Sequence, residues 1–141
     1  MRENESKLVV PNDTRYLALI GSYISHVARL AGFSGEEVEK IELAVDEACT
    51  NVIKHAYDPD TIQHFTVKVR YTDEELRIIV QDKGRPFDPA LLESSLVLDK
   101  SVEGNMGLFI MKKVMDEVKF VTRKGGVKEF HLIKYRKKRD V

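Results

Sequence analysis

The sequence predicts an α+β sandwich of two layers, with helices on one face of a mixed, mostly antiparallel sheet. Three observations predict it. Two helix-period segments lead the chain, Leu17 to Leu30 and a second one ending near His55. Two alternating runs follow, Phe65-Val67-Val69-Tyr71 and Leu76-Ile78-Val80, which read as a hairpin with one buried face. A further helical segment, Met106 to Asp116, then precedes a closing hairpin, Val118 to Thr122 and Val127 to Tyr135, joined through Gly125-Gly126. Helices with one apolar face and strands with one apolar face bury both by stacking as two layers.

Each element has a local reason. Lys7 to Val10 reads as a short edge strand stopped by Pro11. Asn12 or Asp13 caps the first helix, whose apolar face is Leu17, Ile20, Ile24, Val27 and Leu30, and Gly32 ends it. Ser34-Gly35-Glu36-Glu37 is a capping box, with serine at the cap and glutamate three residues on. The second helix buries Ile41, Ala44, Val45, Ala48 and Val52. Asp58-Pro59-Asp60 is a turn, and Thr72-Asp73-Glu74-Glu75 joins the first hairpin. Lys83 to Glu103, with Pro86 and Pro89, is a long irregular stretch of the kind that covers sites.

The bulk numbers narrow the function classes. A chain of 141 residues predicts one domain, residues 1–141, and its 43% hydrophobic content supports a core without disulfides or a structural metal. Lys plus Arg equals Asp plus Glu, 23 each, which argues against a nucleic-acid partner. The single cysteine, Cys49, allows no internal disulfide and suits a reducing compartment. No apolar run reaches the roughly 20 residues that span a bilayer, and Met1-Arg2-Glu3-Asn4-Glu5 is unlike a secretory signal. The expectation is a cytoplasmic protein that makes no membrane contact.

Three segments carry chemistry. Glu47 and Asn51 lie one turn apart on the flank of the second helix's apolar face, about 40° from each other. A carboxylate there can accept a proton and a carboxamide oxygen can ligate magnesium; the same pair also fits a solvated helix edge. Lys54 and His55 continue that flank. Asp82 extends the inward parity of Leu76, Ile78 and Val80, so its carboxylate needs donors. Gly84, two residues on, lets backbone approach a flat ring, although Asp82-Lys83-Gly84 also fits an Asx turn. Gly104-Asn105-Met106-Gly107-Leu108 opens a helix, where free N–H groups can hold phosphates; a flexible loop capped by Asn105 fits as well. Met106, Met111 and Met115 read as packing residues, Cys49 as a small core residue, His55 as a boundary histidine and Arg136-Lys137-Lys138-Arg139 as a solvated tail. His26, His55, His64 and His131 form no metal-ligand spacing, and no G-x-x-x-x-G-K-[ST] loop is present.

Taken in order, these segments resemble the Bergerat-fold (GHKL) ATP-binding superfamily of gyrase, Hsp90, histidine kinases and MutL. Glu47 to Asn51 corresponds to its N-box, Asp82-Lys83-Gly84 to its first glycine box and Gly104 to Leu108 to its second. The wording Asp46-Glu47-Ala48-Cys49-Thr50-Asn51 with His55-Ala56-Tyr57, the stretch Asp82 to Pro89 and the run Gly107-Leu108-Phe109-Ile110-Met111 are similar to one branch, the anti-sigma-factor serine protein kinases of bacteria.

That resemblance implies a Bergerat fold, ATP with Mg2+ as cofactors, and phosphorylation of a serine on a small antagonist protein. It also implies binding of a sigma factor, and a homodimer. Glu47 would be the catalytic base and Asn51 the magnesium ligand. Asp82, Gly84 and Phe87 would meet the nucleotide, and Gly104, Asn105, Met106, Gly107 and Leu108 would wrap its phosphates; helix geometry, apart from the resemblance, lets Lys54 approach those phosphates too. The chain departs from the pattern in three places. Pro86 stands where the first box often has glycine. Val102-Glu103 stands where some relatives carry arginine, the nearest base being Lys100. Gly126-Val127 lacks the threonine hydroxyl of a third box. The alternative reading is a non-catalytic or ATP-gated anti-sigma binding module that sequesters a regulator without phosphoryl transfer. A detached histidine-kinase catalytic domain is disfavoured, because His26 sits among apolar neighbours in a short helix.

Overall fold

The computed structural model of the chain describes residues 4–58, 60–85 and 105–136. Five strands form one sheet: β1 (Asn4–Pro11), β2 (His64–Tyr71), β3 (Glu75–Asp82), β4 (Glu117–Thr122) and β5 (Lys128–Tyr135), in spatial order β1-β2-β3-β5-β4. Every pairing among them is antiparallel. Three helices, α1 (Leu17–Leu30), α2 (Gly35–Asn51) and α3 (Asn105–Val114), cover one face. The expected α+β sandwich is therefore the architecture found. No helix among the described residues is long and apolar enough to cross a membrane.

The strands' period of two builds the core. Phe65, Val67 and Val69 of β2, Leu76, Ile78 and Val80 of β3, and Phe130 and Leu132 of β5 point to the helices and are buried. They meet Ile20, Ile24 and Val27 of α1, Val38, Ile41, Ala44, Val45 and Ala48 of α2, and Leu108 and Met111 of α3. Burying each large aliphatic side chain contributes about 1.5–3 kcal/mol. Phe120 and Phe130 stack edge to face with centroids 5.3 Å apart, tying β4 to β5.

The caps behave as their residue types dictate. Asp13 accepts the N–H of Arg15, starting a short 3-10 turn (Thr14–Tyr16) ahead of α1. Ser34 and Glu37 form both halves of the capping box on α2. Three expectations are corrected. Leu30 is 74% exposed, while Ala28 and Ala31 are buried in its place. At 100° per residue Leu30 lies about 110° from the centre of the apolar face. The α-helical bonding of α2 stops at Asn51, and Val52–Ala56 follows as a π turn. Arg136 is half-buried rather than solvated: its Nε donates to the Thr72 carbonyl at 3.0 Å and its guanidinium lies 5.8 Å from the Phe33 ring centroid.

The last strand decides the geometry that matters below. β5 inserts between β3 and β4 and sets Lys128 directly opposite Asp82. Both residues continue the core-facing parity of their strands, at the end of the sheet where the apolar layer runs out.

Candidate functional site

Alpha helix α2 and its π turn are the shared wall of the site. Glu47 and Asn51 are both half-buried on the flank of α2. Burial pushes the Glu47 carboxyl above the ordinary carboxylate range; Asp46 adds to this and the Lys54 ammonium opposes it. Lys54 is exposed and close enough to act on Glu47, as its place on the same helical flank predicts. The Asn51 Nδ2 atom is buried and has no hydrogen-bond partner. An orphaned amide end inside a protein is uncommon and marks a place where another group fits. Rotating the amide by half a turn offers Oδ1 to the same space.

The start of α3 runs against this pair. A Cβ built on Gly107 would stand 2.7 Å from Glu47 Oε2 and 3.6 Å from Asn51 Nδ2. With no side chain at Gly107, the helix start comes close to both the carboxylate and the carboxamide. The backbone N–H groups of the first turn of α3 are thereby set beside the Glu47–Asn51 flank, where an anion can be held. Leu108 is fully buried in the core, so its side chain packs and only its backbone remains for the site. Met106 is 47% exposed, while Met111 and Met115 are core residues as expected. Gly104 and Phe87 lie outside the described residues, as does most of the long stretch from Lys83 to Glu103.

The third part is the exit of β3. Asp82 is 7% exposed on the core-facing side, as the alternation predicts. Its Oδ1 accepts the Gly84 N–H at 2.8 Å, so the Asx turn and the inward carboxylate are one structure. Burial raises the Asp82 pKa; the Gly84 N–H and the Lys128 charge pull it back without cancelling that rise. A Cβ on Gly84 would lie 2.1 Å from the carbonyl oxygen of Ala56, a backbone atom that cannot swing aside. That same carbonyl, at the end of the π turn, accepts the Arg85 N–H at 2.7 Å. Such turns often sit at functional positions, and this one welds the end of α2 to the Asp82–Gly84 turn.

Sequence reading missed three contributors. Lys128 is 8% exposed and donates from Nζ to the carbonyls of Gly84 and Gly126. Its inward parity with Phe130 and Leu132 is the same signal that singled out Asp82. The Tyr57 hydroxyl accepts the Lys83 N–H at 3.3 Å, holding the same turn from the other side. Arg85 pairs with Asp58, just past the π turn. Cys49 is fully buried and its thiol is pushed far up by burial and by Asp46, which makes it a core residue.

The residues present fit a nucleotide carrying a divalent cation. Among the described residues no group of three or more His, Cys, Asp or Glu could hold a metal alone. Magnesium commonly takes one or two protein oxygens and completes its shell with phosphates and water, a role that one carboxamide can share.

A two-layer sandwich with a helix-borne carboxylate and carboxamide, an acid–glycine turn and a glycine-opened helix defines a nucleotide-site architecture. The model of the histidine kinase-like ATPase domain matches residues 10–130. A serine-protein kinase RsbW of Bacillus subtilis is 32% identical over 126 residues, covering 84% of this chain and 79% of the relative. One from Staphylococcus aureus strain MRSA252 is 31% identical over 148 aligned positions, covering 99% and 92%. The chain therefore belongs to the histidine kinase-like ATPase family, within its serine-protein kinase branch. Solved structures share the fold. The RsbU and RsbW domains of a Mycobacterium tuberculosis protein align with a TM-score of 0.68 at 16% identity, over 98% of this chain and 34% of that longer one. A SiaB–SiaC complex from Pseudomonas aeruginosa aligns with a TM-score of 0.63 at 14% identity, over 93% and 89%.

Proposed function

We propose that this chain binds ATP with magnesium between α2, the β3 exit and the start of α3, and transfers the γ-phosphoryl group to a serine of a small antagonist protein. The observation that carries this reading is the approach of Gly107 to Glu47 and Asn51. In this reading Glu47 is the proton acceptor, Asn51 the metal-binding amide, and the helix-start N–H groups beside them hold the phosphates.

The roles follow from the chemistry of each group. Asp82 accepts a hydrogen bond from the adenine amino group, and the bare Cα of Gly84 lets the ring lie close. Asn51 would hold magnesium through its carboxamide oxygen, and the ion would offset charge on the phosphates. The N–H groups from Gly104 to Leu108 hold the phosphates, and Lys54 adds a positive charge beside Glu47. Glu47 takes the proton from the serine hydroxyl as the oxygen–phosphorus bond forms and the bond to the β-phosphate oxygen breaks. Burial raises its pKa, which makes it a stronger base than an exposed carboxylate. The same nucleotide-loaded surface binds a sigma factor, and the bound nucleotide selects between the two partners. The chain acts as a homodimer in the cytoplasm, with residues 1–141 as one domain.

The test is phosphotransfer from radiolabelled ATP to the antagonist. Glu47→Gln lowers the rate by about 10²–10⁴-fold while ATP still binds. Full transfer in that variant removes Glu47 from the base role.

A further inference from the structure

We propose that Lys128 sets the purine preference of this pocket, acting through Asp82 as a positioning residue that keeps the carboxylate a pure hydrogen-bond acceptor. The inference rests on the reading that adenine is held at Asp82.

Three observations carry it. Lysine is almost never buried without a partner, yet Lys128 is 8% exposed at the end of the core layer. Its strand register places it directly across from Asp82, with both side chains on the core-facing side. Its two hydrogen bonds, to the carbonyls of Gly84 and Gly126, are to neutral groups. Asp82 is the carboxylate that feels the lysine's charge.

Gly84 connects the two residues. Its N–H is held by Asp82 Oδ1 and its carbonyl by Lys128 Nζ, so one peptide segment is gripped from both sides. Lys128 therefore fixes where the turn lies and favours the ionised form of the acid. An ionised carboxylate only accepts hydrogen bonds. It pairs with an amino group at the purine 6-position and opposes an oxo group there, lone pair against lone pair. A protonated carboxyl would donate to the oxo group instead.

The experiment measures binding of ATP and of inosine triphosphate, each with magnesium, by calorimetric titration. The wild-type chain should prefer ATP by about tenfold or more. Lys128→Met should weaken ATP binding by about tenfold and bring the ATP-to-inosine ratio close to one. Lys128→Arg, which keeps the charge, should keep the ratio. A folded Lys128→Met chain with the wild-type ratio overturns the proposal. If that variant does not fold, Asp82→Asn is compared with the double variant Asp82→Asn/Lys128→Met, which buries no unpaired carboxylate. Equal ratios in those two support action through Asp82, and a further change in the double variant refutes it. Failure of the wild-type chain to bind either nucleotide removes the pocket itself, and the proposal with it.

Discussion

Two carboxylates on neighbouring strands show how the same degree of burial serves opposite ends. Asp82 and Glu129 are 7% and 6% exposed, on opposite faces of the β3–β5 pair. Burial pushes Glu129 up, but hydrogen bonds from His131, Gln81 and Arg123 outweigh it and leave its pKa below the ordinary value. Those bonds measure 2.9, 2.7 and 3.1 Å. Arg77 lies 3.2 Å from His131 Nδ1, so that nitrogen accepts and Nε2 carries the proton given to Glu129. Burial lowers the His131 pKa and, with the nearby Arg77 and Arg123 charges, outweighs the opposing pull of Glu129. Asp82 has one donor among the described residues, the Gly84 N–H, and a lysine at a distance. Its pKa stays raised. A saturated carboxylate holds strands together; an undersupplied one in a core-facing corner is available to a ligand.

Substitution separates the two. Asp82→Asn should lower ATP affinity by about 10–100-fold, with a melting temperature unchanged or higher, since a poorly solvated charge is removed. Glu129→Ala should do the reverse, destabilising the fold by about 1–3 kcal/mol in denaturant titration and leaving ATP affinity near wild type. Equal effects of both variants on ATP affinity would erase the distinction.

Gly84→Ala tests whether the Asp82 corner depends on backbone contact. The new methyl meets the Ala56 carbonyl, so the turn must move; a loss of about 1–3 kcal/mol in stability and weaker ATP binding are expected. Wild-type stability in this variant would mean that the turn and the π turn are not in contact.

Acid titration gives the smallest effect and the clearest sign. A carboxyl lowered in the fold, as Glu129 is, stabilises the protein above its unfolded pKa of about 4.3, and this is lost as pH falls through the folded value. A carboxyl raised in the fold, as Asp82 and Glu47 are, opposes folding once ionised, from about pH 4 up through its folded value. Glu129→Gln should therefore flatten the acid limb of the stability curve, and Asp82→Asn should lift stability at neutral pH relative to pH 4. A Glu129→Gln curve that keeps the wild-type acid limb would exclude the hydrogen-bonded carboxylate as its source.

Local rules explain which features were legible. The Ser34–Glu37 capping box was legible because both its bonds lie within four residues. The inward Asp82 was legible because strand parity is a period of two with no drift. Lys128 obeys the same parity, with Phe130 and Leu132 of β5. Leu30 was misplaced because a helix drifts relative to a simple i, i+3, i+4 pattern over its length. The π turn at Val52–Ala56 had no local signal; at its end Ala56 meets Gly84 and Arg85, residues distant in the chain.

By itself the sequence determined the two layers, the element order and the residue types of the site, because periodicity, caps and glycines act over a few neighbouring residues. Only the tertiary structure decided that Gly107 meets Glu47, that Gly84 meets Ala56 and that Lys128 faces Asp82. Those contacts join segments far apart in the chain. Their geometry comes from how β5 enters the sheet and how α3 packs on α2, which no local pattern encodes.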